Sequence, residues 1–326
     1  MRFNLSNGTI SLGGNLGMMA LLVGGLHLPV ALANLLAIGV CSLANLIVSD
    51  VWVFRSRLTA LMVLTAAGSL WPGVVWAGPP PDALRAFTAY SNRVAAEEDA
   101  AAASPGFLWT MASAGRDART RAGLVAIEPG GGSTTTPVPG GLVHDWIGSI
   151  FAAGVRADQV IAVLEDYDRH AAVYGPDVMN SRVLTRDGDR FTVRMRLRKK
   201  KFITVILDTV HDATFTRISG SRWQSRSATT QVREVEHAGE PGERLLADGE
   251  EHGFMWALHS FWRIEQRDGG VYVECRAISL SRRIPLGLGW IIGPVVNDLP
   301  REVLARTLEA TRRACLARRA TAPGGV

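Results

Sequence analysis

The side chains best suited to metal chemistry form an acidic group near the middle of the chain. It comprises Glu165, Asp166, Asp168 and His170, all within one short segment. A bound metal needs its ligands on one face of the element that carries them, and only Glu165 and Asp168 share a face of the predicted helix. The pattern favours a solvated helix end, and no metal site is predicted.

Two further titratable residues lie in predicted strands and are candidates for acid–base catalysis. His259 has a side chain that can titrate near neutral pH. Glu274 is the candidate carboxyl group. A hydrogen-bonded or exposed histidine is the simpler interpretation, and no convincing catalytic pair or triad can be assembled. The glycine run from Gly130 lacks the Lys-Ser/Thr ending of a phosphate loop. The sequence therefore predicts no catalytic residue and no cofactor.

The strongest run of charge lies on one predicted hairpin. A solvated sheet edge that resists aggregation is one interpretation, and contact with anionic lipid headgroups is the other. The basic residues of this run are Arg194, Arg196, Arg198, Lys199, Lys200 and Lys201.

Apolar residues at strand and helix spacing are candidates for the wall of a ligand cavity, although the same spacing also fits an ordinary core. Trp256, Leu258 and Trp262 are expected to share one face of a strand, and Met195 lies on the apolar side of another. Residues on a C-terminal helix complete the set. They are Trp290, Val295 and Leu299.

These candidates are positioned by strands and one long helix. Residues 253–280 read as two alternating strands joined by an Asp-Gly turn, which predicts a hairpin. A long helical pattern follows, and its apolar stripe must pack on the preceding sheet. Further strands are predicted from Leu142 onward, with a helix between the first and the second. The fold class predicted is α+β, an antiparallel sheet gripping a C-terminal helix.

Three sequence blocks resemble the START-like superfamily, also called SRPBCC, which includes polyketide cyclase and coenzyme-Q-binding domains. They are Glu165-Asp-Tyr-Asp-Arg-His, His252-Gly-Phe-Met-Trp and Ile278-Ser-Leu-Ser-Arg-Arg-Ile-Pro. The resemblance covers about residues 142–317 and sets a domain at 142–318. It implies a helix-grip fold with a curved sheet that binds lipids, quinones, sterols or polyketides, with no catalytic residue that carries over.

The N-terminal region is almost uncharged and predicts membrane helices. Residues 9–26 and 29–49 each approach the length that crosses a bilayer. Trp52 and Phe54, followed by Arg55 and Arg57, are typical of a membrane interface. Residues 1–57 resemble the C-terminal half of the GtrA-like membrane family, which implies handling of polyprenyl-linked sugars. The segment 58–77 predicts either a third membrane helix or a signal-like segment cleaved after Ala77.

Composition limits the other possibilities. The chain has 326 residues, 47% of them hydrophobic, and a net charge of +5. That charge is small for this length and gives little support for nucleic acid binding. Cys275 and Cys315 fit an apolar core better than a disulfide. Residues 78–141 are predicted as a helical and Gly/Pro-rich linker, and 319–326 as a flexible tail.

Three functions remain open. The leading hypothesis is a bacterial inner-membrane protein whose C-terminal domain, on the periplasmic side, binds or transfers a lipid or other hydrophobic small molecule. The second is a GtrA-like component of polyprenyl-linked sugar translocation for polysaccharide synthesis, acting with a partner or by self-association of its helices. The third is a cyclase or aromatase using His259 or Glu274.

Overall fold

A computed structural model describes residues 19–25, 30, 33, 37, 38, 40, 78–200, 204–247, 249–283 and 289–321, with only the backbone described at 289–297. The chain divides into two compact units, Met1–Val75 and Trp76–Val326. The second unit contains every strand that the structure describes.

The first unit holds the predicted membrane segments. Residues 1–18, 41–77 and most of those between lie outside the described residues, and with them most of the segments predicted at 9–26 and 29–49 and all of 58–77. A π-helical turn, Ala20–Gly25, is described here. Within the described ranges, no helix is both long enough and apolar enough to cross a membrane.

The second unit begins with helices and then alternates strands with short connections. Its helices are α1 (Pro81–Ala102), α2 (Ala114–Arg121), α3 (Ala157–Leu164), α4 (His170–Tyr174) and α5 (Gly289–Thr321), with 3-10 turns at Thr110–Ala112 and Tyr167–Arg169. Its strands are β1 (Ala126–Pro129), β2 (Thr135–Val138), β3 (Gly141–Ala153), β4 (Val178–Asp187), β5 (Arg190–Lys200), β6 (Thr204–Arg217), β7 (Arg222–Glu236), β8 (Arg244–Leu245), β9 (Ala257–Arg267) and β10 (Gly270–Arg282).

All ten strands form one antiparallel sheet. The order is β1-β3-β10-β9-β7-β6-β5-β4, with β2 also paired to β3 and β8 to β7. The predicted hairpin of β9 and β10 is confirmed, with Arg267 opposite Gly270. Both turn residues, Asp268 and Gly269, have positive φ angles of 55° and 74°. That backbone matches the tight turn whose twist suits a hairpin, which explains the Asp-Gly pair.

Helix α5 lies on the first strands of the sheet. Leu304, Leu308 and Cys315 of α5 are buried in one core cluster with Ile150 of β3. Gly148 of β3 permits this contact, because a Cβ there would lie 2.8 Å from the Leu308 side chain. Both Cys275 and Cys315 are free thiols in this core, in agreement with the sequence expectation.

Residues 78–141, predicted as a linker, contribute to the second unit. Helix α1 packs Phe87 and Val94 against Phe261, Ile278 and other buried residues of the sheet. Strands β1 and β2 pair with β3. The buried side of α1 covers the sheet face opposite α5.

Candidate functional site: a cavity between the sheet and the C-terminal helix

A cavity of about 450 Å³ lies between the sheet and helix α5. Its wall is mostly apolar and is built by strands β3 to β7, β9 and β10 together with α3, α4 and α5. Alternation places every second residue of a strand on this side, as with Cys275, Ala277, Ser279 and Ser281 of β10. A volume in this range suits a small organic ligand.

The structure brings together four of the seven predicted ligand-binding residues. Met195, Leu258, Trp262 and Leu299 line the cavity. Trp256 does not, because β9 begins at Ala257 and the indole packs in the cluster beneath α1. The side chains of Trp290 and Val295, both in α5, lie outside the described residues.

Polar side chains that the sequence did not single out also line the cavity. His144 and Trp146 of β3 are 3% and 4% exposed. His144 Nε2 lies 3.0 Å from Ser281 Oγ. The Trp146 indole N–H and His144 Nδ1 have no hydrogen-bond partner among the described residues. Because buried polar atoms are normally paired, these two atoms can hydrogen-bond a ligand.

A second polar patch lies across the sheet. His211 Nε2 is 2.9 Å from Thr209 Oγ1, and its Nδ1 is 3.5 Å from Ser227 Oγ. Ser260 lies opposite Ser227 in the register of β9 and β7 and also faces the cavity. Hydroxyl and imidazole groups therefore form a polar band along the cavity wall from β3 to β6, and the rest of the wall is mostly apolar.

Three buried histidines of the wall are neutral at physiological pH. Desolvation lowers the pKa of His144, His170 and His211 to about 4. The ring of His170 lies with Nε2 3.1 Å from the Leu164 carbonyl oxygen, and it contacts the Tyr167 ring at a tilt and the Tyr174 ring edge-on. The cavity therefore gains hydrogen-bonding capacity from these rings without gaining charge.

We expect stability to fall on acidification through these histidines. Each has a lower pKa folded than unfolded, so the unfolded chain binds more protons between about pH 4 and 6.5. The free energy of unfolding therefore decreases as the pH falls through that window. His170→Gln, which cannot titrate, should make this slope shallower by about 1 kcal/mol per pH unit. Urea unfolding of both proteins from pH 6.5 to 4.5 measures the slopes.

The comparison between variants is needed because two buried carboxyls act in the opposite direction. Burial raises the pKa of Glu98 and Glu274, which adds stability on acidification in both proteins alike. Tyr174→Phe is the control, since it removes the 3.1 Å bond to Thr311 and lowers stability without changing the slope. Parallel slopes for wild type and His170→Gln would rule out the titration of His170.

The two predicted acid–base residues lie on the other face of the sheet. His259 is out of phase with its cavity-lining neighbours Leu258 and Ser260, and its Nδ1 is 2.6 Å from Ser91 Oγ of α1. Glu274 is likewise out of phase with Cys275. Its carboxylate accepts hydrogen bonds from the backbone N–H groups of Trp109 and Thr110, at 2.9 and 2.8 Å. Neither residue lines the cavity.

Glu274 belongs to a buried ionic network between α1 and the sheet. Arg263 lies 3.4 Å from Glu274 and 3.2 Å from Glu98 of α1. Arg276 donates to both carboxylate oxygens of Asp145, at 2.9 and 2.6 Å. These five side chains are all less than 10% exposed. Their mutual pairing is the condition under which buried charge is tolerated.

The glycine run beside this network has a steric role. A Cβ at Gly130 would collide with the Asp145 carboxylate and would lie 2.8 Å from Arg276 Nε. A Cβ at Gly131 would lie 2.5 Å from the Tyr90 hydroxyl, which donates to Asp145 at 2.8 Å. The run therefore makes room for a close approach of the loop to the charged pair.

The acidic residues at positions 165–168 each bind a different partner. Glu165 pairs with Arg186, and Asp166 pairs with Arg318. Asp168 accepts a hydrogen bond from the Val183 N–H at 2.9 Å. His170 is buried in the cavity wall. No cluster able to hold a metal ion occurs in the part of the chain that the structure describes.

The basic run does not form one continuous exposed surface. Arg194 donates to both oxygens of Asp208, at 2.8 and 3.0 Å, and Arg196 donates to Glu243 at 2.8 Å. Lys200 is exposed, whereas Lys199 lines the cavity. Arg198 is half-buried and Lys201 lies outside the described residues. Extending the alternation of Val193, Met195 and Leu197 by one step would have placed Lys199 inward.

A buried carboxylate shapes one margin of the cavity. Glu234 of β7 accepts hydrogen bonds from the backbone N–H groups of His252, Gly253 and Phe254, at 2.9 to 3.2 Å. It thereby fixes the loop that precedes β9. Phe254, 43% exposed, and Met255 line the cavity from this loop.

The architecture of the second unit is the one predicted from the sequence. It consists of an antiparallel sheet, a helical insertion after the first long strand and a long C-terminal helix across an apolar cavity. The sheet and helix predicted from the sequence are therefore confirmed. The preceding membrane helices stay a prediction.

Comparisons with known proteins give structural similarities of low identity. No family model matches the chain, and no curated protein matches it. A STAR-related lipid transfer protein from Xanthomonas axonopodis is 17% identical with a TM-score of 0.37, covering 58% of this chain and 98% of that one. The Zhui aromatase/cyclase from Streptomyces sp. R1128 is 17% identical with a TM-score of 0.36, covering 56% and 99%.

A START superfamily protein from Mycobacterium smegmatis is also similar. It is 11% identical with a TM-score of 0.35, covering 54% of this chain and 98% of that one. At such low identities and TM-scores, these similarities establish neither a family nor an activity for this chain.

Proposed function

We propose that this protein binds a hydrophobic small molecule of lipid type in the cavity between the sheet and α5. The observation that carries the proposal is the cavity itself, about 450 Å³ of space with a mostly apolar wall. A packed core leaves few voids larger than a water molecule. A space of this size with an apolar wall therefore suits a hydrophobic occupant.

The polar groups of the wall would orient a bound ligand by hydrogen bonding. The Trp146 N–H and His144 Nδ1 face a cavity in which the described residues leave them without partners. A ligand that carries an oxygen or nitrogen atom would pair with them, whereas a pure hydrocarbon would leave them unpaired at a cost. Apolar burial would supply the driving force, at about 25 cal/mol per Å².

Extraction of the purified full-length chain with organic solvent, followed by mass spectrometry, tests the proposal. We expect a lipid, quinone or polyprenyl compound in stoichiometric amount, or uptake of the neutral dye Nile red by an empty protein. A folded protein that yields no extractable compound and takes up no dye would contradict it.

The other two functions predicted from the sequence receive less support. The predicted cyclase or aromatase would use His259 or Glu274, and both side chains lie on the face of the sheet opposite the cavity. The GtrA-like role and the membrane anchor depend on residues 1–77, most of which lie outside the described residues. An inner-membrane location, with the ligand-binding unit in the periplasm, stays a prediction.

A further inference from the structure

The cavity contains one positive charge whose presence its apolar character does not explain. Lys199 is the last inward-facing residue of β5, and it lines the cavity beside Val205 of β6 and near Leu197. Its side chain is half-buried. No hydrogen bond or ion pair joins its amine to another residue of the described ranges.

The carboxylate beside this amine is already bound by an arginine. Asp177 also lines the cavity, but both of its carboxylate oxygens accept hydrogen bonds from Arg306, at 2.8 and 3.0 Å. Arg306 also lies 4.0 Å from Glu302 of the same helix, so Lys199, Arg306, Asp177 and Glu302 carry no net charge as a group. The three histidines of the wall are neutral, as shown above. Lys199 is thus the one lining residue in the described structure whose charged group has no hydrogen-bond or ion-pair partner.

An ammonium group without a hydrogen-bond partner beside an apolar wall is unfavourable, because burial removes water from the charge. Desolvation accordingly lowers the pKa of Lys199. An anionic group placed next to the amine would favour its charged form and form a charge-assisted hydrogen bond. The adjacent apolar wall would at the same time cover a hydrocarbon tail.

We propose that the ligand is an amphiphile with an anionic head group, a carboxylate or phosphate, bound by Lys199 while its tail fills the cavity. This inference rests on the proposed function and specifies the chemistry of its ligand. Arg306 contributes indirectly, because it occupies the Asp177 carboxylate and leaves the Lys199 amine available.

The test compares two fluorescent probes with the same tail, cis-parinaric acid and its methyl ester, on the full-length chain. Wild type should bind the acid about tenfold more tightly than the ester, since a hydrogen bond to a charged group supplies that discrimination. Lys199→Met should remove the preference by weakening acid binding about tenfold, with ester binding unchanged. Lys200→Met is the matched control, because it removes an adjacent exposed charge and should leave both affinities at wild-type values.

The outcomes separate the two proposals. Equal binding of acid and ester by wild type would overturn the role of Lys199 and leave the hydrophobic site intact. Binding of neither probe would contradict the hydrophobic site itself. Equal losses of acid binding in the Lys199 and Lys200 variants would show a general surface attraction and would also overturn the assignment.

Discussion

Replacing Arg276 with Met will lower the free energy of unfolding by about 3–5 kcal/mol, because it leaves buried carboxylates without their partner. Arg276 binds both oxygens of Asp145, lies 2.7 Å from Glu97 and lies 3.6 Å from Glu98. Asp145 is only 2% exposed and would keep the Tyr90 hydroxyl alone as a side-chain partner. Urea unfolding of the full-length chain, followed by tryptophan fluorescence, measures the loss.

Arg267→Met is the control for this prediction. Arg267 ends the neighbouring strand β9 and contacts Asp268 at 3.3 Å, with both side chains well exposed. Such a surface pair contributes about 1 kcal/mol or less. Adding Asp145→Asn to the Arg276 variant should restore part of the stability, since it removes the unpaired charge. Equal losses in the Arg276 and Arg267 variants would show that the network contributes no more than a surface ion pair.

Replacing Ala277 with Trp will greatly weaken ligand binding by filling the cavity. Ala277 faces the cavity from the centre of β10, between Trp146 of β3 and Ser260 of β9 in the sheet register. We expect Nile red affinity to fall at least about 100-fold, or about 2.8 kcal/mol. The fold should tolerate the larger side chain, because the space it enters is not filled by protein atoms. Fluorescence titration measures the affinity, and urea unfolding measures the stability.

Ala277→Ser is the matched variant, since it changes polarity at the same position with little change in size. Its affinity should stay close to that of wild type. A folded Ala277→Trp protein that binds the dye as wild type does would place the binding site elsewhere on the molecule. Loss of binding in both variants would indicate that the position, and not the free volume, controls the affinity.

The sheet and its final helix could be predicted because their patterns are local. Alternation along β5 and the Asp-Gly turn before β10 each define a strand or a hairpin within a few residues. The apolar stripe of α5 then had one available sheet to cover. The same alternation correctly grouped Leu258 and Trp262 on one face.

The identity of each face could not be predicted, because it depends on contacts between distant segments. Helix α1 covers the face that carries Glu274 and His259, although its Ala-rich sequence suggested a linker. Strand β10 carries Glu274 and Arg276 on one face and Ala277 and Ser279 on the other. Its sequence alone does not indicate which of the two faces lines the cavity. For the same reason the sequence predicts Lys199 on the surface. Its positive charge favours a solvent-exposed position, whereas the alternation along β5 turns it toward the cavity.

Strand β10 separates a charged interior from an apolar one, and this limits how the gene can change. Adding or deleting one codon in the middle of β10 would reverse the direction of every side chain beyond that point. Depending on where the codon is added or deleted, Glu274 and Arg276 would point into the cavity, or Ala277 and Ser279 would point toward α1. The turn at Gly188, exposed between β4 and β5, has no such constraint. Length variation should therefore accumulate at that hairpin tip, while β10 keeps its residue count.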